Sequence, residues 1–267
     1  MSVHPLHDRL TTLHRAALDG DLAALRRELA AGADPDTFHP DSNHQRTALT
    51  MLCLEMRRQN SSDQTRRQQC IQALLDAGAS TLPNRLDLGT PNAPLTYATA
   101  QGDPAIVNAL LRAGADPKYA DPSGWTALMA AVNLYSVSCA IALIKAGADL
   151  EAVWTLETLS LTPLLLAVDN SPRMIPILLR AGARLDMSRI NEDDYINRED
   201  KEGGTLNGTT LTETLTYLRD VDAAGGWKKY EQAHRKRLTT TFAKAFPRLP
   251  VDAISHMVMF AFHVGFY

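Results

Sequence analysis

Cysteines and long apolar runs are scarce in this chain, and each scarcity excludes a class of protein. The chain has 267 residues and three cysteines, which are widely spaced. Without a CxxC pair they predict neither a disulfide framework nor a zinc site, and so sparse a set favours a reducing compartment. No run approaches the roughly 18 apolar residues that a membrane-spanning helix needs. We therefore expect a soluble, cytoplasmic protein without a transmembrane segment, with the nucleus and the organelles left open as compartments.

Excess charge and catalytic motifs are lacking as well. The formal net charge is −3, so the composition as a whole favours neither nucleic acid nor an anionic membrane as a partner. The segment GGTLNGT lacks the lysine of a phosphate-binding loop, and no GxSxG motif is present. From these absences we expect no enzyme, no cofactor, no metal ion and no small-molecule substrate.

Repetition is what the sequence does have. Five glycines recur in similar phrases such as LLRAGAD. They lie roughly 33–36 residues apart, except for one longer interval. Upstream of each glycine lies a second phrase, such as TALMAAV or TPLLLAV. Two phrases in a constant order, five times over, predict a repeat protein. The five glycines are Gly32, Gly78, Gly114, Gly147 and Gly182.

Each pair of phrases predicts two helices. In the first phrase a threonine can cap the start of a helix, and the leucine and alanine that follow provide a face of small side chains. In the second phrase Ile106, Val107, Leu110 and Leu111 are spaced as on one side of a helix. The glycine then ends that helix in the left-handed conformation. We therefore expect a helix, a turn, a second helix and an extended excursion in every unit.

These phrases resemble the ankyrin repeat. The first unit carries the family's pattern most fully, and DPSGWTAL, between the third and fourth units, is similar to the family's β-hairpin tip. The resemblance implies an all-α ankyrin-repeat solenoid with β-hairpin tips. It covers about two-thirds of the chain, and we assign the repeat domain to residues 1–187. The repeats are expected at about residues 10–36, 46–80, 92–117, 125–151 and 161–186.

Two units depart from the pattern. The second holds a polar, basic insertion, MRRQNSSDQTRRQQ, which we expect to bulge from the connection between its two helices. The fifth carries Pro176 within its second helix. Because an interior proline removes a helical hydrogen bond, we expect that helix to begin or to kink there.

The chain after the repeats divides into an acidic loop, residues 188–209, and a helical extension, residues 210–267. A repeat array needs a polar cap on its last unit, so we expect the extension to cap the fifth repeat, with a separate partner-binding module as the alternative. The aromatic residues of the segment 227–246 form one stripe at helical spacing, and its cations lie mostly opposite them. The basic face suits nucleic acid, acidic lipid or an acidic protein, but base stacking requires aromatic side chains interleaved with the cations.

The resemblance implies a binding function, because ankyrin repeats bind other proteins and rarely catalyse. We therefore predict a non-catalytic protein–protein interaction module that acts as an adaptor, a scaffold or a structural subunit through its concave surface. Trp125 is the sharpest candidate, since an aromatic at a tip is typical of an interface anchor; the alternative is that it packs on a neighbouring tip, for instance against Tyr119. The candidate partner-binding residues are Arg46, Gln101, Tyr119, Trp125, Asn133, Leu134, Trp154, Leu161, Asp169 and Asn170.

Two other functions stay open. The segment RLPVDAISHMVMF loosely resembles the opening of an F-box, and its place after the repeats is similar to that of a SOCS box. Either resemblance implies a substrate adaptor of a ubiquitin ligase, although Phe242 stands where the SOCS pattern has a cysteine. Nucleic-acid binding through residues 227–248 is the less favoured alternative. The identity of the partner does not follow from the sequence.

Overall fold

The computed structural model describes residues 11–38, 46–54, 61–82, 93–156, 159–190 and 211–264. These residues belong to two compact units, Met1–Ala181 and Gly182–Tyr267. Helices make up most of both units, as the sequence predicts.

The described part of the first unit is a series of helix pairs, and each pair lies within one of the expected repeats. One short two-stranded sheet, β1 and β2, precedes the last pair. In chain order the elements are α1 Thr12–Asp19, α2 Leu22–Ala30, α3 Ala48–Leu54, α4 Ser61–Asp76, α5 Pro94–Ala100, α6 Pro104–Arg112, α7 Ala127–Asn133, α8 Val137–Lys145, β1 Trp154–Leu156, β2 Leu159–Leu161, α9 Pro163–Asn170 and α10 Ile175–Ala181.

The first helix of a pair begins where the sequence predicts a cap. The hydroxyl oxygen of Thr126 accepts a hydrogen bond from the N–H of Met129 at 3.2 Å, and Thr162 caps α9 in the same way. In the third unit Ala93 stands at this position without a side-chain cap, and α5 begins with Pro94. The φ angle of proline is already suited to the first turn of a helix. Local sequence therefore explains where these helices begin.

The second helix of a pair ends at the predicted glycine. Gly114 has a φ of +90°, a conformation that strains any residue with a side chain. The N–H of Gly114 donates to the carbonyl of Leu111 at 3.1 Å, and the N–H of Ala115 donates to that of Leu110 at 3.0 Å. Two carbonyls at the end of α6 are thereby satisfied. The corresponding glycines of the other four units are also left-handed.

Neighbouring helix pairs pack in two rows. The helices α1, α3, α5, α7 and α9 contact one another in that order, and so do α2, α4, α6 and α8. Leu49 and Leu128 lie inside the first row and Leu110 and Leu143 inside the second, all of them fully buried. Burial of one such side chain stabilises the fold by about 1.5–3 kcal/mol. The apolar periodicity of the phrases therefore becomes the contact between successive units.

The insertion in the second unit does not form the predicted bulge where the structure describes it. Residues 61–69 lie in α4, which runs for 16 residues, and residues 55–60 lie outside the described chain. The side chain of Arg67 is buried, and its Nε donates to the carbonyl of Leu52 at 2.7 Å. The carbonyl of Leu52 lies in the last turn of α3, where carbonyl groups have no hydrogen-bond partner within the helix. For residues 61–69 the prediction was wrong, because polar side chains with buried partners can extend a helix.

The prediction for Pro176 is confirmed. A 3₁₀ helix, Pro172–Met174, leads directly into α10, which begins at Ile175. Pro176 therefore lies in the first turn of α10, where the missing N–H of proline removes no helical hydrogen bond.

The second unit contains one 3₁₀ helix and three longer helices among its described residues. The predicted helical extension is thus present as helices, and α12 contacts both α11 and α13. Residues 191–210, which include most of the predicted acidic loop, lie outside the described chain. Capping of the repeats by this unit stays a prediction. The elements are the 3₁₀ helix Met187–Arg189, α11 Leu211–Ala223, α12 Trp227–Ala245 and α13 Val251–Val264.

The aromatic residues at the start of α12 pack against α11. Trp227 and Tyr230 both make edge contacts with the ring of Tyr217, at centroid separations of 6.3 and 5.6 Å. The ring of His234 stacks on that of Tyr230 at 5.6 Å. These side chains are half-buried, so most of the predicted aromatic stripe serves the interior of the unit.

The end of α12 packs against α13. Ile254 and Val258 of α13 are buried, and Leu238 and Phe242 of α12 lie against them. This apolar contact holds α12 against α13. The connection between the two helices takes no part in it.

Candidate protein-interaction surface

The tip between the third and fourth units is a tightly bonded turn. Ala120 and Thr126 pair as an antiparallel bridge. Within the turn the Oδ1 atom of Asp121 accepts hydrogen bonds from the backbone N–H groups of Ser123 and Trp125, both at 2.9 Å, and from the Ser123 hydroxyl at 2.6 Å. Because Asp121 is buried, these bonds are shielded from water and hold the backbone of Trp125 in place.

The next tip is a short hairpin that lies against the first. Strands β1 and β2 are antiparallel, with Trp154 opposite Leu161. The N–H of Thr155 donates to the carbonyl of Ser123 at 2.8 Å, which joins the two tips directly. Gly124 allows this approach, because a Cβ atom at that position would collide with the backbone carbonyl of Val153.

The joined tips bring two tryptophans together. The rings of Trp125 and Trp154 lie 4.6 Å apart between centroids, at an interplanar angle of 72°, which is the edge-to-face arrangement that aromatic pairs prefer. Both side chains are half-buried. We call these two residues the tryptophan pair. Trp125 thus packs on a neighbouring tip, as one of the two predictions for it states, and still presents part of its ring to solvent.

Amide side chains connect the ends of neighbouring first helices. The Nδ2 atom of Asn170 donates to the Oδ1 atom of Asn133 at 2.9 Å, which links α9 to α7. The Nε2 atom of Gln101 donates to the carbonyl of Leu54 at 3.2 Å, which links the end of α5 to α3. Three of the predicted contact residues therefore also hold successive units together.

The turn after α7 exposes apolar side chains. Leu134 is 46% exposed and Tyr135 is 45% exposed. Tyr135 has a φ of +56°, where the first and third units have Gly20 and Gly102 at +69° and +63°. A left-handed residue with a side chain stores roughly 1 kcal/mol or more of strain, and such strain is typical of functional positions. Sequence reasoning missed Tyr135, although the loss of the glycine found at this turn in two other units was a visible signal.

Other predicted contact residues have different surroundings. Leu161 was predicted to contact a partner, but it is only 7% exposed; its strand places it inside the hairpin tip, so we remove it from the surface. Arg46 is half-buried, and its carbonyl lies 3.3 Å from the Nε2 atom of His14. Burial raises the pKa of Tyr119, and the carboxylate of Asp121 adds to that effect. The side chain of Asp169 is not among the described parts of the structure.

The cysteines offer no reactive nucleophile. All three are fully buried. Burial raises the pKa of the Cys53 thiol to about 12; the nearby cation of Arg67 opposes this rise and the carboxylate of Asp103 adds to it. A thiol with such a pKa carries almost no thiolate at neutral pH, and the thiolate is the reactive form.

The geometry defines a class of protein, a solenoid in which each structural repeat is stabilised by contact with its neighbours. Comparison with family models identifies the repeat. Residues 95–189 match the model of ankyrin repeats, in three copies, which are the third, fourth and fifth units. The chain contains ankyrin repeats, and the resemblance read from its phrases is confirmed over residues 95–189. No curated protein matches the chain.

Ankyrin repeats are generic protein–protein interaction modules and are typically non-catalytic. The first two helix pairs precede the matched range, but α1 to α4 continue both rows of helices. Within the described ranges, no cluster of histidine, cysteine and acidic side chains is placed to hold a metal ion. None of the helices in those ranges has the length and the apolar composition that crossing a membrane requires.

Proposed function

We propose that the protein is a non-catalytic binding subunit, an adaptor or a scaffold, that recognises a cytoplasmic protein partner through the tips and first helices of its third to fifth repeats. The tryptophan pair carries this proposal. Two half-buried indole rings leave part of their apolar surface open to solvent, at a position held by hydrogen bonds. Tryptophan is among the residues that contribute most to the free energy of protein–protein binding.

Hydrogen bonds hold the backbone of the tip without a partner, which favours this use. The Asp121 bonds and the Thr155–Ser123 bond hold the backbone on either side of both rings. Side chains that are already ordered lose little conformational entropy when they are buried in an interface. Tyr135, held in a strained conformation beside exposed Leu134, adds exposed apolar area at the far end of α7.

Two variants at the tryptophan pair test the proposal. Affinity purification with the full chain, followed by mass spectrometry, identifies the partner. Trp125→Ala and Trp154→Ala should each weaken partner binding about 30-fold or more, as expected for a central aromatic anchor. Each variant should also reduce the free energy of unfolding, by about 1 kcal/mol for the lost ring contact and by a further amount for the apolar area that the half-buried ring covers. Binding is measured by titration calorimetry and unfolding by circular dichroism.

The matched control is Ile141→Ala, which removes an exposed apolar side chain from the second row of helices. It should leave the affinity unchanged. If the tryptophan variants unfold far more easily but bind as well as the wild type, the pair is structural and the proposal is wrong. Capture of Skp-type or elongin-type proteins would instead support the ubiquitin-ligase alternative.

Tyr135 provides a second, independent test. Tyr135→Gly restores the residue that the first and third units use in this left-handed turn. The variant should unfold at the same temperature as the wild type or slightly above it, because relief of strain offsets the greater freedom of glycine in the unfolded chain. Partner binding should nevertheless fall about tenfold with the loss of a contact aromatic. A variant that binds normally would remove Tyr135 from the surface.

A further inference from the structure

The connection between α12 and α13 is exposed along its whole length. Residues 244–252 are nine consecutive residues with exposed side chains. Three of them are large and apolar: Phe246 is 50% exposed, Leu249 is 42% exposed and Val251 is 59% exposed. Single exposed apolar residues are ordinary, but three within six positions form a patch that calls for a partner. We call residues 244–252 the apolar tip.

Cations stand within the apolar tip. Lys244 precedes Phe246 by two residues, and Arg248 lies between Phe246 and Leu249. Both cations are exposed, and neither forms an ion pair among the described residues. The tip therefore combines apolar side chains with two cations and one carboxylate, that of Asp252, and carries a net positive charge of one. This combination is complementary to an apolar surface edged with negative charge.

The rest of the basic face of α12 extends away from the tip. Lys236 lies eight residues before Lys244 and Lys228 sixteen residues before it, which is about 12 Å and about 24 Å along the helix axis. Both lysines are exposed. Charge screening is strong beyond about 8 Å at physiological salt. A surface that meets only the tip therefore attracts Lys244 and Arg248 and is almost insensitive to Lys228.

The aromatic residues of α12 are not arranged for nucleic acid. Trp227, Tyr230 and His234 pack against one another and against Tyr217, so their faces are occupied within the unit. Phe246 is the exposed aromatic at this end, and its ring is stacked on that of Phe242 at 6.2 Å. Single-stranded nucleic acid needs a series of free ring faces along a basic groove, and α12 does not present one.

We infer that the apolar tip docks on the surface of an anionic lipid bilayer. Phe246, Leu249 and Val251 would enter the boundary between headgroups and acyl chains, while Lys244 and Arg248 meet the anionic headgroups. A bilayer accepts a projecting tip without a matching pocket, and apolar side chains flanked by cations are what interfacial binding requires. The inference concerns the second unit and does not rest on the function proposed for the repeats.

Vesicle flotation with the full chain tests the inference. The protein should float with phosphatidylcholine vesicles that contain about 30 mol% phosphatidylserine and should bind pure phosphatidylcholine much more weakly. Serine at positions 246, 249 and 251 together should reduce binding at least tenfold, because the apolar area is lost. Circular dichroism should show an unchanged fold, since all three side chains are exposed. No binding to the anionic vesicles at low salt would overturn the inference.

Charge variants locate the contact on the helix. The double variant Lys244→Glu, Arg248→Glu should bind the anionic vesicles at least 25-fold more weakly, from about fivefold for each cation near the surface. The matched control Lys228→Glu, Lys229→Glu changes the net charge by the same amount at the other end of α12 and should have little effect. Equal losses in the two variants would contradict tip docking and point to an extended acidic protein or nucleic acid along the helix.

An environment-sensitive fluorophore gives a readout that does not depend on affinity. The native cysteines are buried, so a cysteine introduced by Val251→Cys can be labelled selectively. The emission of that label should shift to the blue and strengthen when anionic vesicles are added. The same label at Lys228→Cys should remain in water and show no shift. Absence of a shift at position 251 in a protein that does bind vesicles would overturn insertion of the tip.

Discussion

Gly124→Ala should reduce the free energy of unfolding by about 3 kcal/mol, from the strain of a side chain in the left-handed region and from the collision of the new Cβ with a neighbouring backbone. Gly124 has a φ of +88°. Its added Cβ would meet the carbonyl of Val153, and a backbone group cannot rotate away as a side chain can. The tips would have to separate, so the Trp125–Trp154 contact and partner binding should be lost together. Urea unfolding followed by circular dichroism measures the change.

The chain itself supplies controls for the backbone strain. Gly114 and Gly147 have φ values of +90° and +91°, and a Cβ added at either would meet no atom within 4 Å. Gly114→Ala and Gly147→Ala should therefore cost only the strain, about 1–2 kcal/mol each, and should leave binding unchanged. If Gly124→Ala is no worse than these two, the close approach of the tips contributes nothing and its role at the candidate surface must be abandoned.

The helix pairs of the first unit could be predicted because their signals are local. Thr126 caps α7 through an N–H three residues away, and Gly114 ends α6 through bonds within six residues. Such interactions lie within one phrase of the repeat, so their recurrence in the sequence is enough to place them. The family comparison confirms the result for the third to fifth units.

The candidate surface could be predicted only in part, because its geometry depends on distant residues. The sequence predicts that Trp125 stands at a tip, but its partner Trp154 comes from the following tip. Their contact requires the close approach at Gly124, which no pattern reveals. Leu161 shows the opposite error: a predicted partner-binding residue is buried, because it lies in the hairpin opposite Trp154.

Two further features could not be predicted from sequence periodicity: the helical structure of the insertion and the exposed end of α12. The polar segment 61–69 carries no apolar periodicity, yet its Gln64 and Gln68 form hydrogen bonds with Asp103, more than 30 residues away. Along α12 the predicted stripe includes Phe246, but the helix ends at Ala245. Phe246 still stacks on Phe242 of the stripe, but it is 50% exposed, and the connection that follows is exposed as well. Periodicity predicts a face only while the helix continues.

Asp103→Ala should reduce the free energy of unfolding by about 3–4 kcal/mol, because one buried carboxylate both caps a helix and joins two repeats. Its Oδ1 atom accepts from the N–H groups of Ala105 and Ile106 at the start of α6, at 3.0 and 3.3 Å. Its Oδ2 atom accepts from the Nε2 atoms of Gln64 and Gln68 of α4, at 3.0 and 3.2 Å. Alanine would leave all four donors without this acceptor.

A matched cap separates the two roles. Asp21 caps α2 by accepting from the N–H of Ala24 at 2.9 Å, but it is exposed. Asp21→Ala should therefore cost only the usual price of a lost cap, about 1 kcal/mol. The excess loss in Asp103→Ala is assigned to the bonds from α4, and it should shrink when Gln64 and Gln68 are also replaced by alanine. Equal losses at Asp21 and Asp103 would show that the insertion does not stabilise the junction of the repeats.

The pH dependence of stability tests the same carboxylate without a large structural change. Burial alone raises the pKa of Asp103, but the hydrogen bonds from Gln64, Gln68, Ile106 and Ala105 together outweigh it, so the pKa lies below its ordinary value. Unfolded aspartate has a pKa of about 3.9, and the bonds contribute fully above that pH. Their contribution is lost as the pH falls through the lower folded-state pKa. The difference in stability between the wild type and Asp103→Ala should therefore be constant near neutral pH and shrink below about pH 4; a difference that grows on acidification would mean that the carboxyl is held in its protonated form.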